Sequence, residues 1–180
     1  LFAFSQHRAN APPGQGKIDQ AKLDEDTMQI EAECDNQKIE EGDADKEKGI
    51  SAAIPTKYAL LILDFIKSLN KKAHVCDLGS ANGKFCFLAT RYFSLVTGIE
   101  WKRTFPQKAL DGQKKLRHIA YVQNANFICD DFMKQDLSKY DIVFFYYTIP
   151  QKYISLAQYH SALRSKLISK TGLKAGAQLI

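Results

Sequence analysis

Residues 74–84 read His-Val-Cys-Asp-Leu-Gly-Ser-Ala-Asn-Gly-Lys, and no other segment constrains the fold as strongly. His74-Val-Cys-Asp-Leu78 is a short apolar run that stops at glycine, which suits a buried strand. Gly79 and Gly83 permit a tight turn, and Lys84 to Phe93 then reads as a helix. A strand that leaves through a glycine turn into a helix belongs in a parallel sheet, because parallel neighbours need a crossover to bring the chain back.

The remainder beyond Pro55 repeats this alternation. Thr56 to Leu69 predicts an amphipathic helix, with Pro55 at its start and Leu60, Leu63 and Ile66 at helical spacing. Leu95-Val-Thr-Gly-Ile99 predicts a second strand, Pro106 to Ile119 a helix, and Asn126 to Cys129 a third strand. Tyr140 to Tyr147, rich in Ile, Val, Phe and Tyr, is the strongest strand signal, and Gln151 to Ile168 is a further helix. Leu173 to Ile180 reads as a turn entering a fifth strand. The expected class is α/β, with a right-handed, doubly wound, mostly parallel sheet.

The chain's 180 residues suit one ordinary domain. Apolar residues are dense after Ile54 and sparse before it, and charge divides at the same place. Residues 1–50 carry 6 basic and 12 acidic side chains, a net −6; residues 51–180 carry 19 and 8, a net +11. The first fifty residues are therefore expected to form an acidic arm, disordered or loosely helical, and residues 51–180 the folded domain. Within the arm, part of Ala21 to Glu40 has weak helical spacing, with Leu23, Met28 and Ile30 facing a partner. A basic domain behind an acidic arm suits nucleic acid or an acidic protein surface, with the arm competing for that patch; a solvated surface gives the same pattern.

The four cysteines, Cys34, Cys76, Cys86 and Cys129, lack CxxC spacing, and three fall in apolar segments expected to be buried. That usage argues against zinc and against a disulfide framework, so no metal is expected and a reduced, cytoplasmic location fits. The longest apolar stretch, Ala59 to Ile66, is interrupted by Asp64 and falls short of the ~18 residues that a membrane span needs. Leu1-Phe-Ala-Phe is too short to identify a targeting segment.

Ligands of such sheets bind at the carboxyl ends of the strands. Asp77 places a carboxylate there, inside the glycine turn, where a pyrophosphate would be repelled. The turn also lacks the G-x-G-x-x-G dinucleotide fingerprint and the GxxxxGK[ST] phosphate loop, since Lys84 is followed by Phe85. A phosphate-free nucleoside carrying positive charge, such as S-adenosylmethionine with its ammonium and sulfonium, suits Asp77. Glu100 lies 23 residues further on at the end of the second strand, where it can accept both ribose hydroxyls. Asp130-Asp131-Phe132 after the third strand offers a carboxylate to an adenine amino group and a ring to stack on the base.

Over roughly residues 54–180, Asp77-Leu-Gly-Ser-Ala-Asn-Gly83, Gly98-Ile-Glu100 and Cys129-Asp-Asp-Phe132 resemble the class I, seven-stranded S-adenosylmethionine-dependent methyltransferases of Rossmann-like fold. The wording is most similar to the non-SET lysine methyltransferases. The resemblance implies cofactor contacts at Asp77, Gly79, Ser80, Gly83, Glu100, Asp131 and Phe132. Thr56 in Ile54-Pro-Thr56 matches the family's segment bordering the methionine end. Ala81 stands among these cofactor-facing positions in place of the usual second glycine, a change that a negative φ would tolerate. The pattern runs out at the fifth strand, so the expected domain lacks the family's C-terminal antiparallel hairpin and is incomplete or covered there by a partner.

Tyr146-Tyr-Thr-Ile-Pro150 follows the strongest strand, where the family places its acceptor-facing motif. The hydroxyls of Tyr146, Tyr147 and Thr148 are candidates to orient the acceptor, although packing and strand capping would explain the same residues. The motif is not the N/D-P-P-Y of many methyltransferases acting on nucleic-acid amines. In-line methyl transfer to a protein lysine is the expected activity, and the expected partner is therefore a protein substrate. An RNA or small-molecule acceptor on the same fold is one alternative, with nucleic acid attracted by the basic domain. A non-catalytic, partner-binding module with a degenerate fold is another.

Overall fold

The computed structural model describes residues 19–36, 54–70, 72–146 and 155–180. Five helices, α1 (Gln20–Asn36), α2 (Thr56–Leu69), α3 (Lys84–Ala89), α4 (Thr104–Lys115) and α5 (Leu156–Leu167), flank five strands. The strands are β1 (His74–Leu78), β2 (Leu95–Glu100), β3 (Ala125–Cys129), β4 (Ile142–Phe144) and β5 (Gln178–Leu179), and a short 3-10 helix at Ala120–Asn124 precedes β3.

All pairings are parallel, in the order β3-β2-β1-β4-β5. The chain winds outward from β1 through β2 to β3, then crosses back to lay β4 on the other side of β1. The order reverses between β1 and β4, which opens a crevice at the carboxyl ends of those strands. The mostly parallel, doubly wound sheet expected from the alternation is thus the observed architecture.

Strand residues alternate between two cores, as a two-residue period requires. Val75, Val96, Ala125, Ile142 and Phe144 face the side covered by Ala59, Leu63 and Ile66 of α2 and by Phe85 to Ala89 of α3. Cys76, Leu78, Ile99 and Val143 face the other side, against Leu137 and Tyr140. Phe85 stacks on Phe144 with centroids 3.8 Å apart, pinning α3 over β4.

Several boundaries differ from the sequence expectation. Among the described residues the fourth strand is Ile142–Phe144, shorter than the expected Tyr140–Tyr147, and it pairs with Val75–Asp77 of β1 and with Gln178–Leu179 of β5. Tyr140 instead closes a turn, its amide donating to the Leu137 carbonyl. Helix α3 stops at Ala89, where Thr90 Oγ1 turns back to the Phe87 carbonyl at 2.7 Å. Cys34, Cys76 and Cys86 are buried, but Cys129, on the outer strand, is exposed.

The largest departure is α1. Residues 20–36, within the stretch expected to be at most loosely helical, form a helix with Asp26, Ile30 and Cys34 buried at four-residue intervals. Ile30 and Cys34 join the core cluster of α2 and α3, whereas Met28, expected on the partner face, is 63% exposed. Burying one Ile side chain stabilises by about 1.5–3 kcal/mol, enough to hold a short acidic helix when polar contacts assist. Those contacts are Tyr121 OH to Asp26 at 3.1 Å, Lys22 to Asp26 at 3.0 Å and Lys115 to Glu33 at 2.8 Å. No described helix is long and apolar enough to cross a membrane.

Candidate functional site

The turn from β1 to α3 takes three left-handed residues: Gly79 (φ 80°), Ala81 (φ 45°) and Gly83 (φ 85°). The negative φ that would suit Ala81 is not what the turn adopts, and Ala81 is the one described non-glycine residue with positive φ. A Cβ on Gly83 would stand 2.7 Å from the Phe127 ring, so glycine there serves packing as well as conformation. Gly79 differs: it is exposed, and a Cβ built on it meets nothing within 4 Å. Open space therefore fronts the backbone at the start of the turn.

Four amides of this turn are bonded within the protein. Gly79 and Ser80 donate to the Ile99 carbonyl at 2.8 and 3.2 Å, Gly83 donates to the Ser80 carbonyl at 2.8 Å, and Ala81 donates to Glu100 Oε2 at 3.1 Å. Lys84, the basic residue of the turn, ion-pairs at 3.0 Å with Asp35 of α1. Ser80 Oγ is buried without a hydrogen-bond partner among the described residues.

Gly98 makes this arrangement possible. It pairs in register with Asp77, and a Cβ there would lie 2.5 Å from Ser80 Oγ and 2.9 Å from Cys86 Sγ. The Cys86 thiol donates to Asp77 Oδ2 at 3.6 Å. Asp77 is only 4% exposed, at the base of the turn and not on its rim. Burial, opposed by the Cys86 hydrogen bond and reinforced by the nearby Glu100 charge, pushes its carboxyl up to about 7. Burial also raises Glu100, against the amides of Lys102 and Ala81 that favour its charged form. Two carboxyl groups thus stand together beneath and beside the open turn.

The third candidate group lies next to Glu100, whose carbonyl accepts the Asp130 amide at 3.0 Å as β3 ends. Asp131 is half-buried and accepts the Met133 amide at 3.0 Å. Phe132 is partly buried against the second core and packs edge-on against Phe145, centroids 5.5 Å apart. Thr56 is buried and donates to Glu31 Oε1 of α1 at 2.6 Å. Tyr146 is 49% exposed beyond β4; Tyr147 and Thr148 lie outside the described residues.

Asp77, Gly79, Ser80, Ala81, Gly83 and Glu100 are brought together, and Asp131 and Phe132 follow the neighbouring strand end. Sequence reasoning missed Cys86 and Gly98 around Asp77. It also missed Glu31, Asn82 and Lys84, which tie the turn to α1: Asn82 Nδ2 donates to the Cys34 carbonyl at 2.7 Å. Gly98 carried a signal, since an isolated glycine in a strand marks a close approach. Asn82 and Lys84 carried none, because their partners lie 48 and 49 residues away.

No protein-family model matches the sequence, and no curated protein does. Solved structures do match. A Pyrococcus horikoshii protein assigned as an RNA methyltransferase superposes with TM-score 0.53 at 14% identity, over 78% of this chain and 66% of its own. Magnesium protoporphyrin IX methyltransferase from Synechocystis, solved with bound S-adenosylmethionine, gives 0.50 at 17% identity, over 85% and 59%. An amino pentose methyltransferase from Micromonospora echinaspora, also S-adenosylmethionine-bound, gives 0.50 at 20% identity, over 68% and 48%. The chain therefore spans between about half and two-thirds of the length of these proteins. At 14–20% identity the likeness concerns architecture, and it shows that the chain has the Rossmann-like fold of the class I S-adenosylmethionine-dependent methyltransferases.

Proposed function

We propose that this chain binds S-adenosylmethionine at the ends of β1, β2 and β3 and is a methyltransferase whose acceptor is a protein lysine. The observation that carries the cofactor reading is a glycine turn fronted by open space at Gly79 and flanked by the carboxyls of Asp77 and Glu100, with the Gly79, Ser80, Ala81 and Gly83 amides already bonded. That surrounding disfavours a dinucleotide and suits a cationic, phosphate-free nucleoside.

The residues present fit such a group. Glu100 accepts the Ala81, Lys102 and Trp101 amides, and its two oxygens retain acceptor capacity for a ribose hydroxyl. The unpartnered Ser80 hydroxyl is a donor in need of an acceptor. Asp77 supplies buried negative charge below the turn, Gly79 admits close approach, and Gly83 and Ala81 shape the bend. Asp131 and Phe132 stand next to Glu100 for the base, and Thr56 near α1 for the methionine end. When bound, S-adenosylmethionine supplies an electrophilic methyl carbon on a sulfonium. The protein's part is then to orient the acceptor in line and exclude water, which carries much of the barrier reduction.

A lysine acceptor must arrive neutral, and aromatic walls disfavour its charged form by desolvation. Tyr146, with Tyr147 and Thr148 after it, is the proposed acceptor-facing group. An RNA or small-molecule acceptor has comparable support: an RNA methyltransferase and an amino pentose methyltransferase share the fold, and residues 51–180 carry a net +11. Offering labelled methyl donor to protein, RNA and metabolite fractions separates these. Label in protein that survives as methyllysine on hydrolysis supports the lysine reading, and label in RNA alone defeats it.

A further inference from the structure

We infer that Lys166 is a positioning residue whose buried ammonium holds the loop between β3 and β4 in the shape that presents Asp131 and Phe132 to the base of the ligand. The inference rests on the cofactor reading above and extends it to a residue on α5.

Lys166 is only 7% exposed, and its three N–H donors meet three neutral oxygens: the carbonyl of Gln135, and the carbonyl and hydroxyl of Thr171, the latter two at 3.2 and 3.0 Å. A buried ammonium is costly unless its hydrogen bonds are complete, and here all three donors are used. The expenditure goes into one loop. Gln135 is gripped at its carbonyl by Lys166 and passes the constraint on, since its side-chain amide donates to Asp130 Oδ2 at 2.6 Å. Asp130 Oδ1 in turn accepts the Asp131 amide at 2.7 Å, and the Asp130 amide reaches the Glu100 carbonyl at 3.0 Å.

The loop's far end is fixed by the same anchor. The Leu137 amide donates at 2.8 Å to the Thr171 carbonyl that Lys166 also holds. Between these ends the Lys134 and Gln135 amides close back on the Asp131 and Phe132 carbonyls. One ammonium therefore ties the end of α5 to Gln135 directly, to Leu137 through Thr171, and to Asp130 at the start of the segment through the Gln135 side chain. An apolar residue of similar length would leave the Gln135 and Thr171 oxygens without that donor.

The test uses the whole chain, with S-adenosylhomocysteine and its hypoxanthine counterpart S-inosylhomocysteine as calorimetric probes. Wild type is expected to prefer the adenine form. In Gln135→Leu, which cuts the link to Asp130 at a half-buried side chain, and in Lys166→Met, affinity for the adenine form is expected to fall by about tenfold or more. The hypoxanthine form should change little, so the preference collapses. Hydrogen exchange of the ligand-free protein should show faster exchange across residues 131–137 in both variants. Should Lys166→Met fail to fold, Gln135→Leu still decides. A folded Gln135→Leu that retains the adenine preference and the exchange protection overturns the inference alone. Wild type that binds neither probe overturns the cofactor reading and this inference with it.

Discussion

Glu100 Oε2 accepts the amide of Ala81 at 3.1 Å, so the carboxylate that ends β2 fastens the bend that leaves β1. Its partner oxygen accepts the Lys102 amide at 3.0 Å. The residue thus has a structural duty and, in the proposed function, a second one toward ribose. Two substitutions separate them. Glu100→Ala leaves both amides without an acceptor and is expected to cost about 1–3 kcal/mol of stability together with ligand affinity. Glu100→Gln keeps one acceptor oxygen and is expected to retain most of the stability while still losing about tenfold in affinity for S-adenosylhomocysteine. Denaturant unfolding and calorimetry read the two effects, and a Glu100→Gln protein that binds as wild type removes Glu100 from the ribose site.

Ala81 sits at φ 45°, where a residue with a Cβ is strained by about 1–2 kcal/mol. Glycine would relieve that strain but loses about 0.4–1 kcal/mol through a freer unfolded chain. The two nearly cancel, so Ala81→Gly is expected to shift stability by under about 1 kcal/mol. A β-branched residue has no such offset, and Ala81→Val is expected to destabilise by about 2 kcal/mol or more. Urea midpoints at constant m-value decide it. A neutral Ala81→Val would mean that the turn does not hold the left-handed conformation.

Asp77, pushed up to about 7 by burial, should make cofactor binding depend on pH. A cationic ligand prefers the ionised carboxylate, so affinity is expected to fall as pH drops below about 7, by at most about tenfold per unit. Asp77→Asn should bind weakly and without this slope. The stability effect has the opposite sign. A carboxyl whose folded value exceeds its unfolded one favours the fold when protonated, so its contribution declines as pH rises from about 4 to about 7 and is level above. The melting temperature of Asp77→Asn minus that of wild type should therefore grow across that window. A difference that stays constant from pH 4 to 8 would show that Asp77 titrates normally.

What could be read from the sequence divides by how local its cause is. The α2 helix was legible to the residue, because Pro55 starts it and Leu63 and Ile66 repeat at helical spacing. The strand, turn and helix at residues 74–84 were legible because glycines and an apolar run lie together. The sign of φ at Ala81 was not, since Ala is permitted on either side of the map and the choice belongs to the whole turn. The start of β4 was placed too early, because the apolar character of Tyr140 does not show that its amide closes a turn on Leu137. Asp77 stands out in the sequence as a carboxylate inside the glycine turn, but its burial against Cys86 depends on Gly98 of another strand.

The α1 helix shows the same limit most sharply and yields the last prediction. Its buried face holds a single strong hydrophobe, Ile30, with Asp26 and Cys34 on either side, so no apolar stripe announces it. What holds it is distributed: Ile30 in the core, Asn82 on the Cys34 carbonyl, and buried Lys84 shared between Asp35 at 3.0 Å and Glu31 at 3.8 Å. The helix is also the partner of Thr56 through Glu31. If α1 is integral to the domain, Ile30→Ala creates a core cavity and is expected to cost about 2–4 kcal/mol, whereas a residue on a detached arm would cost almost nothing. Met28→Ala, on the exposed face of the same helix, should stay within about 0.5 kcal/mol. Because Lys84 follows Gly83 directly, Lys84→Met is expected to loosen both α1 and the glycine turn, leaving the Asp35 and Glu31 carboxylates without their buried cation. Denaturant unfolding of the three variants tests the assignment: equal stabilities for Ile30→Ala and Met28→Ala would return α1 to the status of a loosely attached arm.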